Sequence, residues 1–176
     1  MQLQVTVLTT TYWPISRSTL EGTARLPSTL TRCTETFTKF YLSKHDGRKL
    51  TFQPGLGDLE LRAVVGKTSR TITCSVYQGI LLLLFTEPES LTYAELLQQS
   101  GISESDMKRH LLAMTSSSKK DFRVLYKTGD KKTLAPQDVF TVNGSWKPKL
   151  KHVKLGLLGS AKARDKEAEE TNKKVN

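Results

Sequence analysis

Val, Leu and Thr dominate "LQVTVLTT" at residues 3–10, and that composition predicts a strand. Pro14 to Pro27 shows no period and reads as a loop. Ser28 then offers an N-cap. Leu30, Cys33, Phe37, Phe40 and Tyr41 follow at three- and four-residue spacings, the stripe of a helix that closes with Lys44 and His45 and stops at Gly47. That helix is expected to pack on neighbouring strands. Leu50 and Phe52 alternate with Lys49, Thr51 and Gln53; beyond "PGLGD", Leu59, Leu61, Ala63 and Val65 alternate with Glu60, Arg62 and Val64. These runs predict a hairpin that is apolar on one face, its glycines permitting positive φ in the turn.

A further strand, "SRTITC", leads into the apolar helix "SVYQGILLLLF", for which Ser75 is the cap. Thr92 and Glu95 form a capping box with Leu91 and Leu96 placed as a staple, and Ser103 with Asp106, Ile102 and Met107 repeats the device. The two helices, of roughly eight and twelve residues, are joined by a short turn. Strands at 122–127 and 138–142 flank the turn-rich "TGDKKTLAPQ", and "LKHVKLGLL" alternates Val153, Leu155 and Leu157 with basic or small residues. The predicted class is α+β: a small, mainly antiparallel sheet with a packed helix, then a winged helix (helix-turn-helix plus wing), then a polar tail beyond Gly159.

Composition changes this picture little, with 37% hydrophobic and 25% charged residues. No run of about 18 apolar residues occurs, so no membrane-spanning helix is expected, and the first residues lack a basic segment ahead of an apolar one. The expected setting is therefore the cytoplasm, the nucleus or both. Cys33 and Cys74 stand far apart without a CxxC, against a disulfide framework and against zinc. Both are expected to be buried thiols. Asn143-Gly144-Ser145 matches a glycosylation sequon but reads as a turn.

The net charge is +10, and residues 91–176 hold 17 basic and 10 acidic side chains against 10 and 7 in residues 1–90. A basic surface of this kind suits nucleic acid or an acidic protein segment. Chemistry finds no foothold in the sequence. The Gly-x-Gly at 55–57 lacks the third glycine of a dinucleotide fingerprint, where Glu60 stands, and no helix follows it. His45, His110 and His152 fall on separate elements, and no nucleophile motif, metal motif or Walker sequence is present. No metal, cofactor or catalytic residue is expected.

Taken in order, "VTVLTTTYWP", "FTKFYLSKHDGRKLTFQPGLGDLELRA", "SVYQGILLLLF", "LTYAEL", "RVL", "FTVN" and "KLKHVKL" resemble the C-terminal region of cullins, scaffolds of modular RING ubiquitin ligases. The likeness runs from about Leu3 to Leu158. It implies that residues 1–75 are the α/β part of the cullin homology region, 76–158 its first winged helix and 159–176 a frayed or disordered tail. It further implies a non-catalytic scaffold in ubiquitin-dependent protein degradation. In the family, the N-terminal strand of a zinc-binding RING-box protein inserts into this sheet, which reaches a ubiquitin-conjugating enzyme indirectly. The family's adaptor-binding repeats and its second winged helix, whose Ile-Val-Arg-Ile-Met-Lys type motif accepts a ubiquitin-like modifier, have no counterpart here. No acceptor lysine is expected, and the chain reads as a truncated scaffold, partial or non-functional.

Positions that match the RING-box surface are Leu50, Thr51, Phe52, Gln53, Leu59, Leu61 and Arg62, with Thr73, Ser75 and Tyr77 nearby. Leu50, Phe52, Leu59 and Leu61 suit equally well a core beneath helix 28–45. Lys147, Lys149, Lys151 and Lys154 suit an acidic conjugating-enzyme segment, or simply guard a strand edge. The alternative function is a basic winged helix that binds nucleic acid through Lys108, Arg109, Lys119, Lys120, Lys131 and Lys132. Leu112, set between Lys108 and Arg109 on the outward face of their helix, argues against it.

Overall fold

The computed structural model describes residues 2–9, 24–65, 68–130 and 133–157 of the 176-residue chain. Its first helix, α1, spans Ser28–Lys44. Pro27, not Ser28, occupies its N-cap, and no side chain caps it. Instead the segment before α1 is tied down by its backbone, Arg25 N–H donating to the carbonyl of Ser100 at 2.7 Å. The last turn closes through His45, and Gly47 takes φ 69°, as a left-handed stop requires.

Two expected strands do not form. Residues 2–9 hold no regular structure, and neither do residues 50–53. The reason is a competing partner. Strand β1, Asp58–Val65, pairs antiparallel with β2, Thr68–Ser75, so the hairpin lies wholly beyond "PGLGD", its ladder running to Val65 opposite Thr68. Pro54–Leu56 instead forms a 3₁₀ turn, Leu56 N–H and Gly57 N–H donating to Gln53 and Pro54 at 3.1 Å each. This turn carries residues 50–53 out of the sheet.

The glycines of "PGLGD" also act otherwise than expected. Among the described glycines only Gly47, Gly101 and Gly129 have positive φ. A Cβ on Gly55 would lie 3.0 Å from the Tyr77 hydroxyl, and one on Gly57 would lie 2.9 Å from Val76 Cγ2. Close approach to the next helix, α2 (Val76–Leu84), is what these positions require. Gly57 accepts from Val76 N–H at 2.9 Å, which locks the turn against the start of that helix.

Ser75 caps α2 with a full capping box through Gln78. Then come β3 (Ser90–Thr92), which the sequence pattern did not reveal, α3 (Tyr93–Ser100) and α4 (Glu104–Thr115). Thr92 and Glu95 form the expected box, Gly101 closes α3 at φ 63°, and Ser103 accepts from Asp106 N–H. β4 (Leu125–Lys127) and β5 (Val139–Val142) are shorter than expected, because a 3₁₀ turn takes Lys120–Phe122. The second sheet has the order β3-β5-β4, all antiparallel. Asn143 makes the expected turn, its side chain accepting from Ser145 N–H and donating to Arg123 O. Trp146 Nε1 donates to Asp121 O.

β6 (His152–Lys154) returns to the first sheet and runs parallel to β2, which gives the order β1-β2-β6. Val153 and Leu155 thereby join Ile72, Cys74, Ile80, Leu81, Leu96, Met107, Leu111, Leu125 and Phe140 in one core. None of the described residues before Ile72 is buried. The core therefore starts at β2, and of the described residues before it Ala24, Leu26, Leu61 and Ala63 pack against it only half-buried. The polar tail expected beyond residue 158 lies outside the described residues.

Candidate partner-docking surface

β1 is the edge of its sheet. Along its outer side, Asp58–Val65 finds no ladder partner among the described residues. Leu59, Leu61 and Ala63 face the core side yet stay half-buried, whereas Cys74 and Ile72 opposite Leu59 and Leu61 are 2% and 3% exposed. On the other face Glu60 and Arg62 are exposed, Arg62 Nε donating to Ser69 Oγ at 2.8 Å. The strand is held from below by α2, where Gly79 lets Leu59 approach closely.

Helix α1 has no core of its own. No residue of α1 is buried. The predicted stripe is present, but it meets residues 50–53 and the start of the chain in place of the strands. The Phe37 ring packs edge-on to Phe52 at 6.2 Å and stacks on Tyr41 at 6.1 Å, and Phe40 remains 59% exposed. An open groove of about 470 Å³ runs between Leu3 and Cys33, Thr36, Phe37 and Phe40. Leu3, Val7 and Leu8 are exposed too.

Of the positions singled out in the sequence, Leu50, Phe52 and Gln53 are half-buried and Thr51 is exposed. Gln53 Nε2 is enclosed without a hydrogen-bond partner. Thr73 is half-buried at the centre of the sheet, Ser75 caps α2, and Tyr77 is buried. Lys147, Lys149, Lys151 and Lys154 are all exposed, and none forms an ion pair among the described residues. Lys119 and Lys120 are exposed, with Lys119 over the Phe122 ring, and Lys131 and Lys132 lie outside the described residues. On α4, Lys108 pairs with Glu104 at 2.7 Å and Arg109 with Asp106 at 3.0 Å. Carboxylates on the same helix thus neutralise its two outward cations.

Sequence reasoning missed two buried polar groups. His110 is 3% exposed, its Nδ1 3.2 Å from Ser75 Oγ and its ring edge-on to Tyr77. Burial first, and Arg109 second, push its pKa down to about 4. The pair is a structural tie and not a catalytic dyad: the serine oxygen already caps α2, and the imidazole is too weak a base to take its proton. The Lys127 side chain is 3% exposed and binds Asp138 at 2.8 Å as well as the carbonyls of Thr128 and Asp130, so its ammonium ties together the residues that follow β4 and precede β5. Its hydrogen bond to Asp138, with that of Ala135 N–H, holds the carboxyl below the usual range. His110 stands three residues after Met107 and four before Met114 on the buried face of α4, a spacing that could have placed it, whereas Lys127 is enclosed by a following loop that no local pattern shows.

A family model described as the cullin alpha+beta domain matches residues 7–146. This chain belongs to the cullin family. Cullin-3 of Dictyostelium discoideum is 38% identical over 120 residues, which covers 68% of this chain and 15% of that relative. Cullin-3B of Arabidopsis thaliana is 34% identical over 174 residues, 98% of this chain and 23% of the relative. Cullin-1 of Oryza sativa subsp. japonica is 34% identical over 155 residues, 88% of this chain and 20% of the relative. The cullin chain described here thus spans between 15% and 23% of the length of these relatives.

Proposed function

We propose that this cullin segment is a non-catalytic docking module of a ubiquitin ligase scaffold, and that it holds a RING-box protein by accepting a strand at the outer edge of β1. The observation that carries the reading is the β1 edge, unpaired among the described residues and lined by apolar side chains left half-covered on that strand. An added strand would satisfy the outward N–H and C=O groups of Asp58–Val65 and cover Leu59, Leu61 and Ala63.

In this reading the helix, strand, helix, helix, strand, strand order of residues 76–142 is a winged helix that serves as a rigid base, with residues 1–75 as the docking part. Lys147, Lys149, Lys151 and Lys154 form an exposed basic patch suited to an acidic segment of a conjugating enzyme, chiefly by steering its approach. The pairing of Lys108 and Arg109 with their own helix favours a protein partner over nucleic acid.

The test is co-expression of the full chain with a RING-box protein, followed by size-exclusion chromatography. A one-to-one complex is expected, lost when the N-terminal strand of the RING-box protein is deleted. Separate elution of two folded proteins would overturn the proposal.

A further inference from the structure

The same β1 edge carries a charge pattern that is complementary to itself. Its sequence, Asp58-Leu59-Glu60-Leu61-Arg62-Ala63-Val64-Val65, places apolar side chains on the core side and Glu60 and Arg62 on the solvent side. It contains no proline and no lysine, and its Val64 is 70% exposed. When two copies of one strand pair antiparallel about a twofold axis, residues directly opposite share a face. The axis must then pass through a residue, so that core-side positions meet core-side positions.

Few registers satisfy that condition, and charge separates them. An axis at Glu60 sets Glu60 against itself, which offsets the two Asp58–Arg62 pairs of that register, and an axis at Arg62 sets Arg62 against itself with no opposite-charge pair. An axis at Leu61 sets Glu60 opposite Arg62 twice, Leu59 opposite Ala63 twice and Leu61 opposite its own copy. Cross-strand pairs of opposite charge stabilise an antiparallel pairing, and like charges oppose it. Arg62 is free to take part: only its Nε is engaged, on Ser69, and Glu60 makes no ion pair among the described residues.

We propose that this chain associates with a second copy of itself through β1, antiparallel and centred on Leu61, joining two three-stranded sheets into one continuous sheet. The pairing satisfies the outward backbone groups of both strands and brings the half-buried Leu59, Leu61 and Ala63 of each copy against the other. It occupies the edge that the RING-box strand is proposed to take, so the two are mutually exclusive. The inference rests on the β1 edge alone and stands whether or not a RING-box protein binds.

The experiment is light scattering coupled to size-exclusion chromatography, run on the full chain without any partner across a concentration series. Mass is expected to rise from one copy to two. Glu60→Arg and Arg62→Glu, each at an exposed position, are each expected to weaken association at least tenfold, whereas the double variant carrying both changes is expected to restore it. Circular dichroism confirms that the single variants remain folded. A monomer at every concentration would overturn the proposal. So would a dimer that both single variants retain, or a double variant that stays monomeric.

Discussion

Gly79 lies where α2 crosses β1, and a Cβ there would fall 2.3 Å from Leu59 Cδ2, closer than any real contact. Gly79→Ala is therefore expected to push Leu59 and its strand outward and to cost about 1–3 kcal/mol, as overpacking does. The urea midpoint should drop, and an unchanged midpoint would show that α2 and β1 are not packed this closely. His110 makes a second prediction. Burial, then Arg109, lowers its pKa from 6.5 to about 4 against the opposing pull of Asp106, so the folded chain keeps the ring neutral while the unfolded chain takes up a proton. Its contribution is complete above about pH 6.5 and is lost as pH falls towards 4, in total about 3 kcal/mol at ~1.4 kcal/mol per unit. The melting temperature of the chain should fall across that window, and that of His110→Gln should fall less. Equal slopes would place the acid sensitivity elsewhere. The cysteines differ in the same physical way: Cys74 is 2% exposed with its pKa pushed up to about 12 by burial and Asp58, whereas Cys33 borders the open groove on α1. An aromatic disulfide reagent is expected to modify one thiol per folded chain quickly, at Cys33. Two fast thiols would contradict the enclosure of Cys74.

Among the elements, those with a complete local grammar were legible. Helices α2, α3 and α4 begin at the caps Ser75, Thr92 and Ser103 that the sequence marked, because a cap and its box lie within four residues of one another. β1 and β6 were legible from alternation. What could not be read locally is which strand pairs with which. Residues 3–10 and 50–53 have strand-like composition, but a strand exists only where its backbone finds a neighbour, and β1 took β2 while Pro54 started a 3₁₀ turn. β3 has the opposite fate: three residues just before a helix, recognisable only through the pairing of Leu91 with Phe140. Of the candidate site, the alternation of Leu59, Leu61 and Arg62 on β1 was readable. That Tyr77 lies in the core was not, since it depends on Gly55 and His110 closing over it from distant positions.

At the scale of the whole molecule, the core runs from Ile72 to Leu155, the described segments before it carry half-covered apolar residues, and β1 is a sheet edge without a partner among the described residues. A surface of this kind is what a docking module presents before its partner arrives: the rigid part is finished, and an edge is left unsatisfied. The family match spans both parts, residues 7–146. The measurement that bears most directly on this account is hydrogen exchange along Asp58–Val65 in chain diluted to its monomer, with and without a RING-box protein. β2, paired on both sides, serves as the internal reference. The account predicts fast exchange at the outward amides of β1 in the chain alone and strong protection once the RING-box protein is added, with β2 protected throughout. Exchange along β1 that is the same in both samples would contradict it.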